Sequence, residues 1–153
     1  MRLRAGLPIV LVLWISFVFI QSLFFKFAGS PETVHIFGTL DAWAAGLGAP
    51  GLFAPGGIFS AHVVGTMELI ASVMLLASLL PRFGWLRPLG ALLALGVISG
   101  AILLHLFTPL GVAVPNADGT SDGGLLFGMA VSVWLSAATL LWLSRDRLRL
   151  RRV

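Results

Sequence analysis

Apolar residues run along this chain in four long blocks, at about residues 7–28, 58–80, 86–108 and 123–144. A bilayer span needs ~20 mostly apolar residues in a row, and each block is long enough. Hydrocarbon offers the backbone no hydrogen-bond partners, so each block is expected to be a helix. The apolar positions do not alternate strictly, which argues against a membrane β-barrel. Between the first two blocks the pattern changes. Ser30-Pro31-Glu32 reads as an N-cap, a proline at the first helical position and an early acid. Val34, Ile36, Phe37, Leu40, Trp43 and Leu47 then recur at helical spacing, with Glu32, His35 and Thr39 on the other face. This predicts an amphipathic helix, ended by a Gly/Pro-rich loop that reaches Gly57. The fold class expected is all-α, a four-transmembrane-helix bundle with an additional amphipathic helix in the first outer loop.

Composition agrees. Of 153 residues, 58% are hydrophobic and only 10% charged, against ~25% charged in soluble domains; the mean hydropathy is +1.02. So few charges cannot cover a water-soluble globule of this size, nor support a disordered chain or a nucleic-acid binder. One integral membrane domain over residues 1–153 is expected, with a basic tail at 145–153. Cysteine and tyrosine are both absent. That removes disulfides, thiolate nucleophiles, Cys-ligated metals and phenolic acid–base chemistry within this chain. The start, with Arg2 and Arg4 before an apolar run, resembles a signal peptide, but the run is too long and lacks a small-residue cleavage site. It reads as an uncleaved anchor.

Charge placement gives an orientation. Arg2 and Arg4 precede the first span, Arg82 and Arg87 flank the turn between the second and third, and Arg145, Arg147, Arg149, Arg151 and Arg152 follow the fourth. Glu32, Asp41, Asp118 and Asp122 fall in the opposite loops, with Lys26 beside them. The basic side is expected in the cytoplasm, with both termini there and the protein in the plasma (inner) membrane. Gly96 and Gly100 form a GxxxG pair, and Gly124, Gly128, Ser132 and Ser136 a small-residue ladder. Both are expected to serve packing within the chain, homo-oligomer contact being the alternative.

Ionisable groups inside apolar spans are costly and point to function. Here they are Gln21 (polar but uncharged) and Lys26 on the first span, His62 and Glu68 on the second and His105 on the third, all in the outer half or near the midplane. A lone carboxylate there would be very unfavourable, so Glu68 is expected paired or protonated. Side chains tilt toward a helix's N-terminus, so Lys26 leans into the membrane and Glu68 toward the outer surface. The two are candidate partners, bridged by Gln21 or water, while a snorkelling Lys26 is the alternative. His62 and His105 lie at similar depth on adjacent spans. They read as interfacial histidines, as haem b ligands or as hydrogen-bond donors to a quinone headgroup. Asp122 reads first as an N-cap and turn residue, and second as a contributor to the same pocket. No metal site is indicated.

The runs Ser22-Leu23-Phe24-Phe25-Lys26-Phe27 with Gly29, Gly65-Thr66-Met67-Glu68-Leu69-Ile70 with Leu75-Leu76, Gly90-Ala91-Leu92-Leu93 through His105-Leu106, and Asp122-Gly123-Gly124-Leu125-Leu126-Phe127 resemble the DoxX-like family over nearly the whole chain. The resemblance implies a small four-helix inner-membrane protein. It further implies a subunit of a quinone-linked or thiol and oxidative-stress oxidoreductase system, working with a membrane or soluble oxidoreductase partner. Unlike related four-helix redox proteins, this chain has no cysteine pair, so electron transfer would need a bound cofactor or a partner. The expected ligand pocket comprises Glu68, Lys26, His62, His105, Gln21 and Asp122. The alternative is a non-catalytic membrane anchor or assembly protein.

Overall fold

The computed structural model describes residues 3–116 and 118–149, with side chains from residue 6 to residue 145. Arg2, Arg151 and Arg152, and the side chains of Arg4, Arg147 and Arg149, lie outside what is described. The described residues form α1 (Leu3–Ala28), α2 (Pro31–Gly46), α3 (Ala61–Ala77), α4 (Leu86–Phe107) and α5 (Leu125–Arg149), with a single 3₁₀ turn at Pro81–Phe83. They contain no β-strand beyond one isolated bridge, Pro115 with Ser121.

Among the described residues, three helical stretches are long and apolar enough to cross a membrane: Gly6–Ala28, Leu86–Phe107 and Leu125–Arg145. The remaining apolar helix, Ala61–Ala77, is shorter than the expected block at 58–80. Its ends explain why. The Ser60 hydroxyl accepts from the Val63 N–H and caps the start. Before it, a Cβ on Gly57 would run into the carbonyls of Gly51 and Leu52, so the loop closes only around a glycine. At the other end Ser78 donates to the Leu75 carbonyl, and Pro81 follows. At 17 residues α3 is about 25 Å long.

The four apolar helices close into a ring, with α1 on α3, α3 on α4, α4 on α5 and α5 on α1. Val12, Ile15, Phe19, Ala71, Leu75, Ala91, Ala94, Ile98, Val133, Ala137 and Leu140 fill the centre. Many are alanine, which brings the helix backbones close. The outer faces carry Val10, Phe17, Phe24, Val73, Leu92, Leu103 and Trp142, all exposed. A soluble monomer does not display so much apolar surface; the arrangement fits a lipid bilayer environment. Two tryptophans tie the helices across: Trp14 Nε1 donates to Ser132 Oγ and Trp134 Nε1 to Ser99 Oγ.

Helix α2 caps one end. Ser30 accepts from the Thr33 N–H at its start, as the Ser-Pro-Glu pattern predicts. Leu40 and Ala44 bury against Phe53, Leu110 and Val114, with Ile36, Phe37 and Trp43 packed around them. Val34 and Leu47, counted on the apolar face from spacing, are exposed. Asp41 holds the following loop by accepting from the N–H groups of Phe53 and Ala54.

The small-residue motifs divide: in the ladder, Gly124 lies against Val112 and Ser132 accepts from Trp14, while the GxxxG glycines and Gly128 face open space. A Cβ on Gly96, Gly100 or Gly128 would meet nothing within 4 Å, so these glycines do not pack inside the chain. The close contact falls at Gly90, where a Cβ would lie 3.0 Å from Leu75 Cγ and 3.2 Å from Met74 Cβ.

Candidate functional site

Lys26 stands in the last turn of α1 and Glu68 two turns into α3, both toward the end that α2 caps. Each side chain leans toward its own helix N-terminus, which brings antiparallel neighbours together. Lys26 Nζ donates to Glu68 Oε1 at 3.0 Å and to Oε2 at 2.9 Å. Ser22, one turn before Lys26, closes a triangle: its hydroxyl donates to Oε2 at 2.6 Å and accepts from Nζ at 2.9 Å. The side chains of Lys26 and Glu68 are 17% and 7% exposed. All three ammonium protons and the hydroxyl proton are thus engaged within the chain.

Gly65 makes this approach feasible. A Cβ there would lie 3.3–3.4 Å from Phe27 and Leu23, so α3 rests directly on the α1 side chains one turn above Glu68. Phe27 and Leu23 also line an apolar groove of about 380 Å³, together with Ile20, Phe24 and Ala28. Phe27 also carries His62: this residue is exposed and its imidazole is tilted against the Phe27 ring, with centroids 5.7 Å apart. Gln21 is exposed and makes no contact with the pair among the hydrogen bonds described; Ser22 takes the bridging position expected of it. A second groove of about 280 Å³, lined by Ser99, Ile102, Leu103, Val131 and Trp134, lies between α4 and α5.

His105 belongs to a different group. It is buried near the end of α4, and its Nδ1 lies 2.6 Å from the Gly111 carbonyl. A carbonyl only accepts, so Nδ1 carries the proton of that bond. The Phe127 ring meets the imidazole edge-on at 5.8 Å. Asp122 organises the same loop: Oδ1 accepts from the N–H groups of Val114 and Gly124, and Oδ2 from that of Leu126. Burial raises the Asp122 pKa, but those backbone donors, with a smaller contribution from His105, outweigh it and hold the carboxyl below its ordinary value. Asp118, fully exposed, is also lowered, by the Thr120 hydroxyl and then the Thr120 N–H.

The structure therefore divides the six candidate residues. Lys26 and Glu68 meet, with His62 nearby across Phe27; His105 and Asp122 share the loop between α4 and α5; Gln21 faces outward. The two histidines do not converge, because His62 turns to α1 and His105 to the loop beyond its own helix. Ser22 is the participant that sequence reasoning missed. Its signal was a hydroxyl four residues before the only lysine, on the same helix face. No family model, curated protein or solved structure matches the chain.

Proposed function

We propose that this chain is a DoxX-like, four-span inner-membrane protein that serves as a subunit of a quinone-linked or thiol and oxidative-stress redox system. Both termini lie in the cytoplasm, α3 forms the second of the four spans and α2 lies along the outer interface. The observation that carries this reading is a charge pair, nearly closed to solvent, set in apolar helices beside a lipid-open groove. The groove is lined by apolar side chains, and one of them, Phe27, packs against His62, an exposed donor. A planar apolar ring with a carbonyl headgroup matches that chemistry: the ring against Phe24 and Phe27, a carbonyl accepting from His62. In this arrangement Lys26, Ser22 and Glu68 clamp α1 to α3 and hold the groove open rather than touching the ligand. When bound, a quinone would supply the redox chemistry, and this chain's residues would position it.

The test is saturable binding of decylubiquinone to the protein in lipid nanodiscs, followed by quenching of tryptophan fluorescence. Wild type is expected to saturate, and Phe27→Ala and His62→Ala to weaken binding at least tenfold while folding normally. Absence of saturation in the folded wild type would overturn the quinone reading. It would leave the second reading, a non-catalytic anchor or assembly protein. That reading is favoured by one observation: every proton of the Lys26 ammonium is already taken inside the chain.

A further inference from the structure

The charges are sorted by end. Among described side chains, Arg82, Arg87 and Arg145 stand at the end away from α2. The sequence flanking those helix ends adds Arg2, Arg4, Arg147, Arg149, Arg151 and Arg152, against one acid, Asp146. Glu32, Asp41, Glu68, Asp118 and Asp122 all lie toward the other end, with Lys26 as their one basic companion.

The described arginines share a level. Arg87 Nη2 donates to the Ser78 carbonyl at 3.1 Å, which sets Arg87 beside the end of α3. The Trp134–Ser99 bond fixes the register of α5 on α4. Eleven residues from each partner, back along α4 and onward along α5, Pro88 comes level with Arg145. Two guanidinium groups lie over aromatic rings: Arg82 over Phe83 at 5.6 Å and Arg145 over Trp142 at 4.9 Å. Trp85 and Trp142 are exposed there, the position that tryptophan takes at a membrane–water boundary. Leu80, Leu89, Leu92 and Leu143 are exposed alongside them.

We propose that this rim is a binding surface for anionic phospholipid headgroups, with Arg82 and Arg145 as its phosphate-binding residues. The proposal rests on the membrane reading above. A guanidinium held over a ring keeps its N–H edges free to engage phosphate oxygens in pairs. The neighbouring leucines require a ligand that is apolar on one side and anionic on the other. A phospholipid meets both conditions and a polynucleotide only the second. Arg87, half-buried on Ser78, sets the turn that presents Arg82.

The experiment inserts the full chain into nanodiscs of phosphatidylcholine and phosphatidylglycerol in equal parts. It then releases the protein into detergent and counts retained lipids by native mass spectrometry. Wild type is expected to retain phosphatidylglycerol over phosphatidylcholine by about tenfold, from the attraction of two basic side chains near a headgroup. Arg82→Gln/Arg145→Gln is expected to reduce that ratio to near one, and Arg82→Lys/Arg145→Lys to leave part of it. Circular dichroism of each variant checks the fold. Equal retention of both lipids by wild type, an undiminished ratio in the double glutamine variant, or capture of an oligonucleotide in place of lipid would overturn the headgroup proposal alone. Extraction of the chain from membranes by alkaline carbonate would overturn the membrane reading itself.

Discussion

Lys26 and Glu68, 42 residues apart in sequence, meet at 2.9 and 3.0 Å between α1 and α3. Neither would be tolerated alone in that setting. A buried ion pair adds little net stability over an apolar pair, but removing one partner strands the other charge at high cost. The pair therefore acts as a register pin. It locks α1 on α3 at one depth, with Gly65 allowing the approach and Phe27 and Leu23 shared with the groove.

Ser22 should be more than a helix filler. Its hydroxyl makes two bonds to charged atoms at 2.6 and 2.9 Å. Ser22→Ala is expected to lower stability by about 1.5–3 kcal/mol. Unfolding in mixed detergent micelles measures it, and Ser22→Thr should recover part of the loss.

The glycines divide into two classes. Gly90→Ala would push a methyl against Leu75 and Met74, and is expected to cost about 1–3 kcal/mol through overpacking. Gly96→Ala and Gly100→Ala meet open space and are expected to be neutral or mildly stabilising. Thermal unfolding of the three variants, side by side, checks this.

The same contrast shows what could be read from the residues. Block length and the cost of bare backbone in lipid locate the four apolar helices to within five residues at the ends that differ most. Ser30-Pro31 marks the start of α2 correctly. A charge in an apolar run is conspicuous, so Lys26 and Glu68 were legible. Gly96 and Gly100 depart from the expected packing because GxxxG says that a backbone can be approached, not what approaches it. The position of Gly90 depends on α3–α4 register, which no local pattern encodes. His62 and His105 share a depth but not a direction, since Phe27 and the Gly111 carbonyl attract them to different neighbours.

Ser16 offers a stability gain. Its hydroxyl is buried among α1 core residues, and it is the one buried side-chain polar atom without a partner among the described residues. Ser16→Ala removes that unmet bond at little change in volume. It is expected to raise stability by about 1 kcal/mol, read as a higher unfolding midpoint.

The loop before α5 should soften in acid. Asp122 has its pKa lowered in the folded chain, so the unfolded chain binds more protons as pH falls. The contribution of Asp122 is fully present above the ordinary carboxylate range and is lost as pH drops through the lowered folded value. The protection of the Val114, Gly124 and Leu126 amides against hydrogen exchange, taken relative to their intrinsic rates at each pH, is expected to fall over that window. In Asp122→Asn those amides should be less protected at neutral pH, and their protection should change little on acidification.

The most direct measurement is a double-mutant cycle on the pin itself, with unfolding followed in lipid bicelles. Lys26→Met and Glu68→Gln are each expected to destabilise the bundle, by about 3 kcal/mol or more for the lone buried charge left by Lys26→Met. The Lys26→Met/Glu68→Gln variant should recover most of that loss, a coupling of more than about 1 kcal/mol. Single variants whose costs simply add, with no recovery in the double, would contradict the account.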